Sequence, residues 1–107
     1  MSRLDELLVE EYERLGNQKM RFLKEKDVLP IGHIVFKKCE EKTYVYLQRI
    51  ERGNVISEPI APEDLSNVQM RIQQRNNIKK AIKEIEFDQK RIAKILSAEE
   101  KQRISII

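Results

Sequence analysis

Hydrophobic residues recur three to four positions apart near both ends of this chain and two positions apart in its middle. In the first segment the main apolar positions are seven apart: Leu8, Leu15 and Phe22. That spacing places them on one face of a helix. Ser2 stands where a helix N-cap is preferred, and acidic residues follow it. The pattern predicts a first helix over residues 2–26.

The second half of the chain carries a longer helical pattern. Its apolar residues alternate between steps of four and three, with Gln89 in the one gap: Ile78, Ile82, Ile85, Ile92 and Leu96. Pro62 suits the first helical position. We therefore predict a long helix over residues 62–96, about 50 Å in length. This a/d spacing is typical of coiled coils, and we expect Leu8, Leu15 and Phe22 to pack against Ile78, Ile82 and Ile85.

The C-terminal residues contain a second start signal. Ser97 is followed three residues later by Glu100, which is the spacing of a capping box. It predicts a separate short helix over residues 98–105. Three isoleucines then stand in the tail: Ile104, Ile106 and Ile107. They fold back on the core, bury against another chain, or simply fray, and the sequence leaves these three alternatives open.

The middle of the chain predicts a three-stranded antiparallel meander over residues 32–58. Thr43–Leu47 is the strongest strand signal, and short polar turns separate it from its neighbours. Side chains alternate between the two faces of a strand. We expect Val45 and Leu47 to face the helices and Tyr44 and Tyr46 to lie on the more exposed face, although the reverse assignment stays open at this stage.

Together these segments predict one α+β domain over residues 1–107. It consists of an antiparallel, coiled-coil-like pair of long helices, the inserted β-meander and the short C-terminal helix. Of its 107 residues 36% are charged and 40% hydrophobic, and the net charge is +3. Residues 1–65 carry eleven basic and thirteen acidic side chains, whereas residues 66–107 carry ten and five. The basic second half indicates either an acidic partner or a solvated helix face.

Catalytic patterns are weak in this sequence. There is one cysteine, Cys39, and one histidine, His33, both on the first predicted strand. No Cys/His cluster with metal-ligand spacing and no Gly-rich phosphate loop is present. We therefore expect no enzyme activity, metal, cofactor or small-molecule substrate. The N-terminus has no apolar signal-peptide core and no run approaches a membrane span, so we expect a cytoplasmic protein without membrane contact.

Two binding functions remain, and the first is a protein partner or a second copy of the chain. An open sheet and an apolar tail are association surfaces. On this hypothesis the protein acts by occlusion, as an inhibitor or accessory, and the contact residues are Tyr44, Tyr46, Ile104, Ile106 and Ile107.

The alternative is direct binding of nucleic acid. Basic residues recur along the long helix, as phosphate neutralisation requires, although Glu84, Glu86 and Asp88 interrupt them. The basic residues are Arg71, Arg75, Lys79, Lys83, Lys90, Arg91 and Lys94. The two tyrosines would then stack on unpaired bases. The cations that flank them in sequence are Lys37, Lys38, Lys42 and Arg49.

Three short segments carry a resemblance. They are Leu29-Pro30-Ile31-Gly32, Thr43-Tyr44-Val45-Tyr46-Leu47-Gln48 and Gly53-Asn54-Val55-Ile56-Ser57. Residues 29–96 resemble small uncharacterised proteins of Gram-positive bacteria and their mobile elements, with a Leu-Pro-x-Gly segment, a Tyr-rich strand and a long charged helix. The chain departs from that pattern at residues 51–54, where the relatives tend to have a tighter Gly-Gly turn. The resemblance implies a cytosolic bacterial or phage protein tied to mobile DNA or to defence against it.

Overall fold

The structure, a computed structural model, describes residues 2–106 and the side chains of residues 2–98. Helix α1 (Arg3–Asp27) is followed by strands β1 (His33–Cys39), β2 (Lys42–Glu51) and β3 (Asn54–Pro59) and by helix α2 (Leu65–Ile106), which a 3-10 turn at Pro62–Asp64 precedes. The predicted α+β order is confirmed. Among the described residues no helix is both long and apolar enough to cross a membrane.

The chain divides into two compact units. A helical unit contains α1 as far as Glu25 and α2 from Ile78 onwards. A sheet unit contains Lys26–Asn77, which includes the three strands and the beginning of α2. Each unit is therefore described by itself below.

The predicted separate helix over residues 98–105 is wrong. Helix α2 runs without a break from Leu65 to Ile106. Ser97 lies inside it, exposed to solvent, and no Gly or Pro follows Pro62 to interrupt the helical backbone. A serine costs a helix interior only a few tenths of a kcal/mol, so an S-x-x-E pattern does not by itself end a helix.

Helix α1 begins with a reciprocal pair of hydrogen bonds. The backbone N–H of Asp5 donates to Ser2 Oγ at 3.2 Å, and the backbone N–H of Ser2 donates to Asp5 Oδ2 at 3.3 Å. Each side chain thus satisfies a backbone donor that the first helical turn leaves without an intrahelical acceptor. The predicted N-cap at Ser2 is confirmed.

The core of the helical unit lies between α1 and the second half of α2. Leu15, Ile85 and Ile92 are buried together, and the side chains packed against them are Leu8, Phe22 and Leu96. Side chains of α1 and α2 thus pack together in the helical unit. Relative to the predicted partners Ile78, Ile82 and Ile85, this cluster is shifted towards the C-terminus of α2, since it contains Ile85, Ile92 and Leu96.

Polar contacts within the helical unit fit the same pairing. Gln89, the polar residue in the apolar stripe, donates from Nε2 to the backbone carbonyl of Tyr12 at 3.2 Å. Lys19 Nζ lies 3.2 Å from Glu86 Oε1. Later residues of α1 thus meet earlier residues of α2, which is the antiparallel order. The Gln89 bond also gives the interruption of the stripe a physical reason, since its amide satisfies a backbone acceptor.

The sheet unit contains the meander in the order β1-β2-β3. Cys39 pairs with Lys42 across the Glu40-Glu41 turn, and Glu51 pairs with Asn54 across Arg52-Gly53. Arg52 and Gly53 both have positive φ, at 49° and 80°. Positive φ at both central residues is the geometry of the two-residue hairpin turns that match strand twist. Both predicted turns are confirmed.

Candidate functional site

The register of the sheet assigns every strand residue to one of two faces, because directly paired residues point to the same side. Leu47 pairs with Ile34 and with Glu58. Tyr46 pairs with Val35 and with Pro59. Leu47 is only 9% exposed, so its side of the sheet is the more buried one.

We call the opposite side the tyrosine face. Tyr44 is 46% exposed there, whereas Tyr46 is half-buried to a degree similar to Val45 on the other side. Lys37 pairs with Tyr44 and carries its Nζ over the ring of Tyr46, 5.2 Å from the centroid. Lys42 stands two residues before Tyr44 on the same side. The face therefore combines two aromatic rings with two ammonium groups.

The tyrosine face bears no carboxylate along the three strands. Its members are His33, Val35, Lys37, Cys39, Lys42, Tyr44, Tyr46, Gln48, Ile50, Val55, Ser57 and Pro59. The strand glutamates Glu51 and Glu58 lie on the other side, and Glu40 and Glu41 form the β1–β2 turn. Charge on this face is therefore of one sign, which favours an anionic ligand.

The flanking cations predicted around the tyrosines divide between the two sides. Lys37 and Lys42 belong to the tyrosine face, whereas Lys38 and Arg49 lie on the Leu47 side. Lys38 and Arg49 therefore flank the tyrosines in the sequence but not on the sheet, because successive side chains of a strand point to opposite faces.

Arg49 is also occupied by an ion-pair network on its own side. Its Nε lies 3.1 Å from Glu51 Oε1 and its Nη2 lies 2.8 Å from Glu58 Oε1. The hydrogen bond from Arg49, together with its positive charge, holds the pKa of Glu58 below its ordinary value. The same network raises the pKa of Arg49, chiefly through the bond to Glu58.

A groove opens beside the exposed tyrosine. Its volume is about 390 Å³, and its lining is Lys42, Thr43, Tyr44, Val45, Tyr46, Pro59, Ile60 and Pro62. The groove exists because β2 extends beyond the end of β3. The last residue pair of β2 and β3 is Tyr46 with Pro59. One further hydrogen bond follows it, from the Ile60 N–H to the Val45 carbonyl. This size lies within the range of small-ligand sites.

Two of the seven predicted phosphate-binding cations serve the fold. Arg75 is half-buried and donates from Nη1 to the carbonyls of Lys26 at 2.6 Å and Leu29 at 3.1 Å. Arg71 donates from Nη2 to the carbonyl of Val28 at 3.1 Å. These carbonyls lie at and just beyond the C-terminal end of α1, where the helix dipole is negative. The contact of Arg71 and Arg75 with this end was not inferred from the sequence, because these arginines stand more than forty positions away.

The remaining cations of α2 form a lysine stripe on the helical unit. Lys79, Lys83, Lys90 and Lys94 are all exposed. At 3.6 residues per turn they fall within an arc of about 60° and extend over about 22 Å of helix. The stripe faces away from the buried side of the helix that Ile85 and Ile92 mark. Four ammonium groups are therefore presented to solvent in one line.

Of the acidic residues that interrupt the basic run in sequence, Glu84 and Asp88 lie well away from this stripe. Glu86 borders it, about 20° outside the arc, and lines one groove with Lys90. Its carboxylate is paired with Lys19 of α1. Glu84 follows Lys83 by one residue and so points about 100° away around the helix. Asp88 lies beside Leu8 and Glu11 at the α1 side of α2. Arg91 stands apart from the stripe, with its guanidinium 5.9 Å from the centroid of the exposed Phe87 ring.

The remaining residues singled out in the sequence are the C-terminal isoleucines, the one histidine and the one cysteine. Side chains of the predicted contacts Ile104 and Ile106 fall outside the described residues, as does Ile107. His33 and Cys39 stand at opposite ends of β1, and Cys39 is a free, exposed thiol. Within the described part of the chain no group of three or more His, Cys, Asp or Glu residues is placed to hold a metal ion.

The sequence matches no protein-family model, and no curated protein or solved structure is significantly similar to it. The resemblance to mobile-element proteins therefore stays a prediction. Function has to be argued from the two basic surfaces just described, the tyrosine face and the lysine stripe.

Proposed function

We propose that this chain is a non-enzymatic nucleic-acid-binding accessory protein that holds phosphates along the lysine stripe of α2. The observation that carries the proposal is the stripe itself: four exposed lysines in one line, with Glu84 and Asp88 directed elsewhere and Glu86 paired with Lys19. The sequence analysis placed a protein partner first and nucleic acid second, and the order is reversed here for one reason. Much of the support for a protein partner came from the isoleucine tail, whose side chains lie outside the described residues.

Phosphate binding by four lysines has a quantitative signature. Each neutralised phosphate releases condensed counterions, so four contacts to duplex DNA give a slope of about −3.6 in log affinity against log salt. Between about 50 and 200 mM salt the affinity would fall roughly a hundredfold. A surface that binds through apolar contacts would lose little over the same interval.

The test is a salt titration of binding to a fluorescent DNA duplex, followed by anisotropy. The variant is K83Q with K90Q, and the matched control is R21Q with K24Q, which removes two exposed cations from α1. We expect the stripe variant to flatten the salt slope by about 2 and the control to leave it unchanged. Binding that ignores salt, or an equal effect of both variants, would contradict the proposal.

A second candidate is the protein partner predicted from the sequence, bound by occlusion or in a homodimer. One observation favours it: Ile50 and Val55 are cross-strand partners on the tyrosine face and are 73% and 63% exposed. Solution mass by light scattering without nucleic acid tests the homodimer. A dimer that I50S converts to a monomer would favour this candidate, whereas a monomer in both forms would argue against it.

The way in which the two helices pack is also part of the proposal. We propose that α1 and α2 pack as an antiparallel coiled coil. The heptad spacing of Leu8, Leu15 and Phe22 supports this, as does the seven-residue step from Ile85 to Ile92. The resemblance noted in the sequence would make the protein a cytoplasmic component of a bacterium or phage, associated with mobile DNA or with defence against it.

A further inference from the structure

We infer that the tyrosine face is a binding site for single-stranded nucleic acid, with unpaired bases stacked on Tyr44 and Tyr46 and phosphates held by Lys37 and Lys42. The inference rests on the proposed nucleic-acid-binding function and names its substrate class. It also assigns a second surface, on the sheet unit, that is separate in sequence from the lysine stripe.

Charge complementarity is the first support. The strands place Lys37 and Lys42 on the tyrosine face and both strand glutamates on the opposite side. Arg49, the cation nearest to the tyrosines in the sequence after Lys42, is held by those glutamates. A polyanion thus meets ammonium groups on this face and no carboxylate along the strands. A phosphate backbone is such a ligand.

The spacing of the aromatic rings is the second support. Tyr44 and Tyr46 are two residues apart on β2, so they are about 6.8 Å apart along the strand. Lys37 is paired with Tyr44 across the strands and carries its Nζ over the ring of Tyr46. The groove of about 390 Å³ borders both tyrosines and gives a base room to enter beside Tyr44. Alternating rings and cations are the composition of single-strand binding surfaces.

The same geometry favours single strands over duplexes. A paired base inside a helix exposes only its edges, so an aromatic side chain cannot stack on it without unpairing the duplex. Stacking on tyrosine is available only to bases that are already unpaired. An exposed ring such as Tyr44 therefore contributes to affinity for a single strand and little to affinity for a duplex.

The test compares two aromatic residues on opposite sides of the sheet. Y44A removes a ring from the tyrosine face, and F36A removes a ring from the Leu47 side, where Phe36 is 57% exposed. The probe is a fluorescent oligothymidylate of about 12 nucleotides, with a duplex of equal length beside it. We expect Y44A to weaken oligothymidylate binding about tenfold, and F36A to leave it unchanged.

A second pair of variants compares one lysine on each face of the sheet. Lys37 and Lys38 are adjacent in sequence, but only Lys37 lies on the tyrosine face. We expect K37Q to lower the salt slope for oligothymidylate by about 0.7, and K38Q to have no comparable effect. Far-UV circular dichroism and chemical denaturation of all four variants identify any loss that comes from unfolding.

The outcomes distinguish this inference from the function on which it rests. Equal losses in Y44A and F36A, or none in either, would overturn it. Duplex binding that depends on the lysine stripe, with oligothymidylate indifferent to Tyr44, would overturn the single-strand site and keep the proposed function. No binding of either probe by the unaltered protein would overturn both. Polyglutamate that displaces the probe as effectively as unlabelled oligothymidylate of equal charge would also overturn it, because stacking would then contribute nothing.

Discussion

Gly32 has a backbone conformation that other residues adopt only with strain. Its φ is +125°, and a Cβ added there would collide with the carbonyl oxygen of Gln48. The glycine of the Leu-Pro-Ile-Gly segment is thus explained by the close approach of the chain to β2, immediately before β1 begins. Its role is to let the sheet form.

Replacement of Gly32 by alanine should therefore be costly. We expect G32A to lower the free energy of unfolding by about 2 kcal/mol or more, from strain at positive φ together with the collision. The control is G53A, which also has positive φ but meets nothing within 4 Å. It should cost only about 1 kcal/mol. Urea denaturation measures both, and equal costs would contradict the account.

The Arg49–Glu58 ion pair predicts a pH effect. The bond and the charge from Arg49 lower the pKa of Glu58 from its ordinary value of 4.5. A lowered folded-state pKa gives a stabilising contribution that is present above about pH 4.5 and is lost as the pH falls through the lowered value. In R49Q the pKa of Glu58 should return towards 4.5.

Carboxyl chemical shifts followed by NMR between about pH 2 and 7 measure that change. R14Q is the control, since Arg14 bonds Glu11 within α1 and lowers the pKa of Glu11 instead. It should leave Glu58 unchanged. A Glu58 titration that is the same in R49Q and in the unaltered protein would show that the pair does not form in solution.

At the scale of the elements, the end of α1 depends on a residue far away in the sequence. Arg75 and Arg71 of α2 donate to carbonyls of Lys26, Val28 and Leu29. The Lys26 carbonyl also accepts from the Leu29 N–H, so the arginines join the end of α1 to the segment that follows it. These bonds also give the two arginines a role in the scaffold, in which some of their donors are already used.

Arg75 should accordingly matter for stability more than for binding. We expect R75M to lower the free energy of unfolding by about 2 kcal/mol, the usual loss for hydrogen bonds from a charged donor. K79M, in the lysine stripe, should change stability by less than about 0.5 kcal/mol and should weaken DNA binding instead. Denaturation and anisotropy on the same two proteins test the distinction. A reversed pattern would place Arg75 in the interface.

Ser2 and Ser97 are each followed three residues later by an acidic residue, but their replacement by alanine should change stability in different ways. Ser2 caps α1 through Asp5, whereas Ser97 is an exposed interior residue of α2. We expect S2A to cost about 1 kcal/mol and S97A to be neutral or to stabilise by a few tenths of a kcal/mol. Thermal denaturation compares them, and an equal loss in S97A would mean that a helix does begin there.

The elements were predictable where the signal is local. Strand alternation, the turn at Arg52-Gly53 and the cap at Ser2 all depend on neighbours within a few residues, and the structure agrees with each. The shifted partners of α1 and the roles of Arg71 and Arg75 depend on contacts across more than forty residues. The charge on each face of the sheet could also not be assigned without the strand register, since the sequence alone does not tell which of Lys37 and Lys38 lies beside the tyrosines.

For the whole molecule, net charge is a poor guide to the charge offered to a ligand. The chain carries a balance of only +3. Yet the lysine stripe presents four cations in one line, and the tyrosine face bears lysines without strand carboxylates. Several acidic side chains are matched internally, such as Glu86 with Lys19 and Glu58 with Arg49. Distribution, and not the total, determines which surfaces attract a polyanion.

Binding to the folded state should also appear as stabilisation. We expect oligothymidylate at about 100 times its dissociation constant to stabilise the protein by about 2.7 kcal/mol, and so to raise Tm by several degrees. The shift should shrink as salt is added, since the phosphate contacts weaken. Differential scanning fluorimetry at two salt concentrations measures it. A shift that is independent of salt would exclude phosphate contacts as its source.

The helical unit is discontinuous in sequence, since one part ends at Glu25 and the other begins at Ile78. The sheet unit is thus an insertion between two halves of a helix pair. Its strand residues are absent from the cluster of Leu8, Leu15, Phe22, Ile85, Ile92 and Leu96. Evolution can therefore vary the inserted segment without changing a residue of that cluster. The inserted strands can thus change in sequence and length while the helix cluster keeps the same side chains.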